Sequence, residues 1–225
     1  MSPQTVFQEI QCVLRAHANP DGAVGMRAYM RDQFPFLGIK TPLRRELMKA
    51  IVALSFAPEV AVQLAQALWK LPEREYHYVA IDLLGKHKKV LQLAHLPSLL
   101  QLAQDQAWWD SVDGLAGVVG DVLLLQRKKY PQAQELMDHA LHHDNMWVKR
   151  IAMTHQLGWR LQTDSQRLFS YASTLASEED FFIRKAIGWA LRDYGKWSAP
   201  QVRAYVQTNS TQLSALSVRE ALKNL

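Results

Sequence analysis

A carboxylate framed by aromatic side chains is the group in this chain best placed to do chemistry. Within 107–121, AWWDSVDGLAGVVGD, helical spacing puts Trp109, Asp113 and Gly117 on one face and turns Trp108, Val112 and Val119 to another. One side offers an indole, a carboxylate and bare backbone; the other suits a core. A carboxylate seldom sits beside a large aromatic surface without a partner. Glycines 114, 117 and 120 each cost about 1 kcal/mol relative to alanine in a helix interior. A neighbouring helix or a ligand must therefore come close to this backbone.

Two further groups carry charge beside aromatic surface or free backbone. In FFIRKAIGWALRDYGK (181–196), Lys185, Trp189 and Arg192 share a helix face, with Phe182, Ala186 and Asp193 on another stripe. A Trp between two cations suits aromatic stacking next to charge neutralisation, although core packing is the usual fate of a helical Trp. Arg44 and Arg45 sit in the first turn of a helix opened by Thr41-Pro42, where cations oppose the helix dipole. A phosphate docked on the free N–H groups, neutralised by these arginines and Lys40, resolves that conflict; solvated arginines at small cost are the plainer alternative. His139, His142 and His143 lack the paired spacing of a metal site, and Cys12 reads as a small buried hydrophobe. There is no Gly-rich phosphate loop and no GxSxG elbow. An enzyme built here works with a carboxylate, aromatics and cations, without a metal or cofactor.

The elements that position these residues read as helices throughout. A first helix spans about Pro3 to His17 and stops at the turn Asn19-Pro20-Asp21-Gly22; a second covers Val24 to Phe34. Thr41 caps a third, with Pro42 at its first position, running to about Phe56. Pro58, Pro72, Pro97, Pro131 and Pro200 mark further starts, for about twelve or thirteen helices in all. No linker is long or Gly/Ser-rich, so residues 1–225 are expected to form one domain.

A repeat underlies the helices. From Trp147-Val148-Lys149-Arg150-Ile151, steps of 35 residues land on Phe182 to Ala186 and Ser217 to Ala221, and backwards on Val112 to Ala116 and His77 to Ile81. The fifth position is always apolar. Such a period in an all-helical chain predicts an all-α fold, an α-solenoid superhelix of HEAT or armadillo type. Its concave face then carries the third and fourth positions: Gly114, Leu115, Lys149, Arg150, Arg184, Lys185, Arg219 and Glu220. That row is rich in cations and reads as a binding surface or as a solvated helix face.

Composition sets the outer bounds. Apolar content of 48% and charged content of 21% are those of a globular protein, and the net charge of +5 is compatible with a nucleic-acid partner. One cysteine excludes an intramolecular disulfide framework. With no signal pattern at the N-terminus and no membrane-length apolar run, the expectation is a cytoplasmic protein.

With these residues in view, the sequence resembles the AlkD-type DNA alkylation-repair glycosylases, which are built from HEAT-like repeats. The resemblance runs through FPFLGIKTPLRREL (34–47), LWKLPEREY (68–76), WWDSVD (108–113), DNMWVKRIA (144–152) and FFIRKAIGWALRDYGK (181–196), nearly the whole chain beyond about residue 20. It implies hydrolysis of the N-glycosidic bond of cationic alkylated purines in double-stranded DNA, by a monomer without a metal. Trp109 and Asp113 match the family's catalytic aromatic and carboxylate, Trp189 its second active-site aromatic, and Arg150 a phosphate-binding arginine beside the lesion. Tyr29, Arg45, Phe181, Phe182 and Arg192 fall at positions that approach the DNA or support the site. Lys40 departs from the neutral polar residue the resemblance implies.

The residues make physical sense of that chemistry. An alkylated purine is a cationic leaving group and the sugar becomes positive as the bond breaks. An indole face contributes roughly 0.5–2 kcal/mol to a nearby cation. A carboxylate about 4 Å from the sugar contributes roughly 4 kcal/mol at an effective dielectric near 20. The leaving base needs no acid, which suits a site with one carboxylate. The rival expectation is a non-catalytic α-solenoid scaffold that binds protein or structured DNA through its concave face.

Overall fold

The computed structural model describes residues 2–225, which are helical, with no strand among them. They form two compact units, 1–102 and 103–225.

In the first unit the helices are α1 (Pro3–Ala16), α2 (Pro20–Tyr29), α3 (Thr41–Val52), α4 (Pro58–Trp69), α5 (Arg74–His87) and α6 (Leu96–Leu102). Helix α5 packs against α3 and α4, and α1 against the same two. Val6, Ile10 and Leu14, at helical spacing on α1, are fully buried. Several expected boundaries shift, α2 ending at Tyr29 rather than Phe34 and α3 at Val52 rather than Phe56. Asn19-Pro20-Asp21-Gly22 is not a turn: the Asn19 side chain accepts from Gly22 N–H at 3.0 Å and Pro20 opens α2. Lys40, not Thr41, is the N-cap residue of α3 and makes no side-chain cap bond. The segment between α2 and α3 is held by Glu75, fully buried, whose carboxylate accepts the backbone N–H groups of Leu37, Gly38 and Ile39 at 2.9, 2.8 and 3.0 Å. Gly38 has a φ of 87° there, and a Cβ on it would fall 1.9 Å from the Asn19 carbonyl oxygen.

The second unit contains α7 (Trp109–Gln126), α8 (Glu135–Ala140), α9 (Met146–Thr154), α10 (Ser165–Thr174), α11 (Phe181–Thr208) and α12 (Ala215–Leu222). Helix α11 breaks at Ser198, whose φ of −147° and ψ of 64° are not helical, with Pro200 two residues on. The helix start expected at Pro200 is this break. The 35-residue ruler is the stacking rule of the unit: α7 packs on α9, α9 on α11 and α11 on α12, each carrying one block. The apolar fifth positions Ala116, Ile151, Ala186 and Ala221 are all buried. The chain is thus an all-α arrangement of helical repeats.

Glycine in α7 meets a helix, not a ligand, at its tightest point. A Cβ on Gly120 would fall 1.8 Å from the carbonyl oxygen of His155, the C-cap of α9. Gly117 is different: it is exposed, with nothing within 4 Å of where its Cβ would be.

Candidate active site

Three helix starts converge on one cavity of the second unit. Helix α9 is capped by Asn145, whose side chain accepts from Trp147 N–H at 2.9 Å. Helix α11 is capped by Asp180, accepting from Phe182 and Ile183 N–H at 2.7 and 3.2 Å. Helix α7 starts at Trp109 without a side-chain cap, and Ser111, fully buried, donates its hydroxyl to the Trp108 carbonyl at 3.2 Å. The cavity between these helices has a volume of about 330 Å³ and is lined by Trp109, Asp113, Arg150 and Trp189. Phe181, Phe182, Lys185 and Arg192 complete its wall with Glu220 of α12.

Every catalytic candidate of the sequence, and five of the nine DNA-binding candidates, therefore lie around one space. Trp109 and Trp189 are both half-buried. Trp108 instead joins an aromatic cluster, with ring centroids 5.9 Å from Trp147 and 5.2 Å from Phe182. Phe182 belongs to both cluster and cavity, while Phe181 stands 55% exposed with its ring edge-on to Phe182.

Asp113 has a partner on the next ruler helix. Arg150 Nε and Nη2 donate to Oδ1 and Oδ2 of Asp113, each at 2.8 Å, and its Nη1 donates to the Phe182 carbonyl. The fork is side-on and almost dry, with Arg150 4% exposed. Burial pushes the Asp113 carboxyl above its ordinary value, nearby Asp110 adds to this, and Arg150 opposes both. A guanidinium so placed serves the carboxylate first; the resemblance had implied phosphate binding for Arg150.

Lys149, Arg184 and Lys185 of the expected basic row are also engaged, while Arg219 stands exposed. Lys149 pairs with Glu178 at 2.6 Å, and Arg184 donates to the Glu178 carbonyl at 2.9 Å. Lys185 Nζ and Arg192 Nη1 each lie 2.9 Å from a different oxygen of Glu220. These cations hold Glu220 below the usual carboxylate range. The site thus has two carboxylates where the sequence suggested one. Helix α12 reaches Glu220 to this wall because residue 188 is glycine: a Cβ there would fall 2.4 Å from the Glu220 Cβ.

The remaining candidates, Tyr29, Lys40, Arg44 and Arg45, line a separate cavity of about 400 Å³ within the first unit, with Tyr78 and Met26. Arg44 is neither solvated nor open: it is 4% exposed, 3.2 Å from Asp82 and 4.8 Å over the Tyr78 ring. Burial pulls its pKa below the ordinary arginine value, against Asp82. The electrostatic conflict at the start of α3 is answered by this internal carboxylate. Arg45 also reaches Asp82, at 3.4 Å, but keeps 65% of its side chain exposed.

Residues 10–225 match the family model described as DNA alkylation repair enzyme. The chain belongs to the DNA alkylation repair enzyme family. A predicted DNA alkylation repair enzyme from Enterococcus faecalis is 33% identical, with a TM-score of 0.85 over 92% of this chain and 96% of that one. The structure of smu.31 from Streptococcus mutans UA159 is 15% identical, with a TM-score of 0.61 over 94% of this chain and 99% of that one, a likeness of fold. Comparison with the curated proteins finds no match. For a DNA alkylation repair enzyme, membership supports a role in alkylation repair and binding to DNA. Among the described residues no helix is long and apolar enough to cross a membrane.

Sequence reasoning on this repair-family chain missed two carboxylates, Glu220 and Asp82. The signal for both is the repeat itself. Asp113 to Arg150 spans 37 residues, Arg44 to Asp82 spans 38 and Lys185 to Glu220 spans 35. Searching opposite charges about one repeat apart finds all three.

Proposed function

We propose that this chain is a DNA glycosylase that hydrolyses the N-glycosidic bond of cationic alkylated purines, N3-alkyladenine and N7-alkylguanine, in duplex DNA. The observation that carries the reading is one cavity lined by two indoles and the half-buried carboxylate Asp113. The bond from C1′ to the purine nitrogen breaks with its electron pair going to the base, which leaves neutral. C1′ becomes cationic, stabilised by Asp113 and by the faces of Trp109 and Trp189. Water adds to C1′ and loses a proton, which Asp113 is placed to accept; its raised pKa suits a proton acceptor. The products are the free alkylated base, an abasic sugar and a proton. A neutral purine gains little from this site, so the charge of the lesion selects the substrate. Lys185, Arg192, Phe181 and Phe182 are proposed to contact DNA near the lesion, Arg150 to hold Asp113, and Tyr29, Lys40 and Arg45 to serve binding from the first unit, with Arg44 held behind them by Asp82.

The test is incubation of the protein, as a monomer and with a chelator present, with methylated duplex DNA. Release of free 7-methylguanine and 3-methyladenine, quantified by mass spectrometry, is the expected result. Tight binding without any released base overturns the enzyme reading in favour of a scaffold.

A further inference from the structure

The proposed substrate is a cation embedded in a polyanion, and the cavity has to treat the two charges oppositely. Three cations line it, Arg150, Lys185 and Arg192, against two carboxylates. Asp113 is matched one to one by Arg150. Glu220 is shared between Lys185 and Arg192, which stand on either side of Trp189 along α11. Its side chain is 12% exposed, and the helix that carries it is fixed by the close approach at Gly188 and by Ser217 Oγ donating to the Arg184 carbonyl at 2.9 Å. Without Glu220 the cavity would hold a surplus of two positive charges; with it, one. A larger surplus draws DNA phosphates in regardless of damage and repels the cationic base.

We propose that Glu220 is a specificity-determining residue of this site, withholding the charge of Lys185 and Arg192 from the DNA backbone and keeping the cavity receptive to a cationic base. The proposal rests on the glycosylase reading for its second half and on DNA binding alone for its first. Glu220 needs no contact with the reacting atoms; it acts through the two cations and through the net charge.

The consequence is unusual for a side chain buried in ion pairs, because removing its charge should strengthen one function and weaken another. Glu220→Gln keeps the shape and leaves two cations with a neutral partner. Binding to undamaged duplex DNA should tighten about tenfold at low salt, and the slope of log K against log[salt] should steepen by about one. Single-turnover excision of N7-methylguanine should fall about tenfold. Glu220→Asp, which retains the charge, should stay closer to the unmodified protein in both measurements. Glu220→Gln with Lys185→Gln restores the charge balance and should return the salt slope to its original value. A merely structural role for Glu220 lowers binding and excision together. Unchanged or weaker binding by Glu220→Gln overturns the proposal, as does a double variant whose slope stays steep. If the unmodified protein releases no alkylated base, the glycosylase reading fails, and the binding measurements alone decide whether Glu220 withholds charge.

Discussion

Replacing Asp113 by Asn is the sharpest perturbation of the proposed chemistry, and Arg150 changes what it should do. A cationic sugar roughly 4 Å from the carboxylate gains roughly 4 kcal/mol at an effective dielectric near 20. The guanidinium behind it, roughly 8 Å from the sugar, returns roughly 2 kcal/mol of repulsion, so the intact pair contributes only about 2 kcal/mol. Asp113→Asn removes the attraction and leaves the repulsion. Excision should therefore fall by the full 4 kcal/mol, about a thousandfold. Neutralising both partners, Asp113→Asn with Arg150→Gln, leaves neither term and should cost only about thirtyfold. The double variant is thus expected to be the faster of the two by about thirtyfold. The sequence alone suggests that Asn at 113 folds normally, but a buried guanidinium deprived of its charged partner costs about 3 kcal/mol or more. The rates therefore belong in single-turnover conditions at a temperature where circular dichroism shows each variant folded. An Asp113→Asn protein within fivefold of the unmodified one refutes the role of Asp113. A double variant slower than the single refutes the charge arithmetic.

Three further outcomes follow from burial and packing. Arg45→Ala should lower the salt slope of duplex binding by about one with little change in melting temperature, whereas Arg44→Ala should destabilise the fold by about 1–2 kcal/mol, because the packing of Arg44 on Tyr78 is lost and Asp82 keeps only Arg45. His155 is fully buried, and that burial pulls its pKa down to about 4. Folding favours the neutral ring, so the stability it supports is complete above about pH 6.5 and is lost as pH falls towards 4; urea titrations should show that loss shrinking by about 3 kcal/mol in His155→Gln. Gly117→Ala should raise helix stability by about 0.5–1 kcal/mol in the open space beside it, while Gly120→Ala should cost about 3 kcal/mol by pushing α9 away, both measurable by thermal unfolding.

Spacing within one helix was the legible part of the site. It put Trp109 with Asp113, and Lys185 with Trp189 and Arg192, and each group indeed faces the common cavity. The 35-residue ruler likewise named the helices that stack, because the buried fifth position is set by packing and packing leaves an apolar mark. Partners across helices left a fainter mark. A carboxylate on the neighbouring helix satisfies a cation as well as water or phosphate does, and the sequence of one helix does not distinguish them. That is why Arg44 reads as open to phosphate though Asp82 holds it, and why Glu220 reads as an exception in a basic row. Boundaries moved for a similar reason: Asn19-Pro20 serves a turn or a helix start equally well until the Leu37 carbonyl accepts Asn19 N–H at 2.7 Å.

The polar contacts recurring at one repeat's reach also set an order of assembly. Glu75 finds the N–H groups of residues 37 to 39, Arg150 finds Asp113, and Arg127 finds Gln162 35 residues ahead. In a chain made from its N-terminus, none of these contacts can close until one more repeat has emerged. Asp113 is neutralised early, when α9 arrives. Lys185 and Arg192 wait for α12, and until Glu220 is made the nascent chain carries two uncompensated cations beside Trp189. A chain ending before α12 is therefore expected to bind polyanions more tightly than the full chain, a difference that salt titration of the two forms would read.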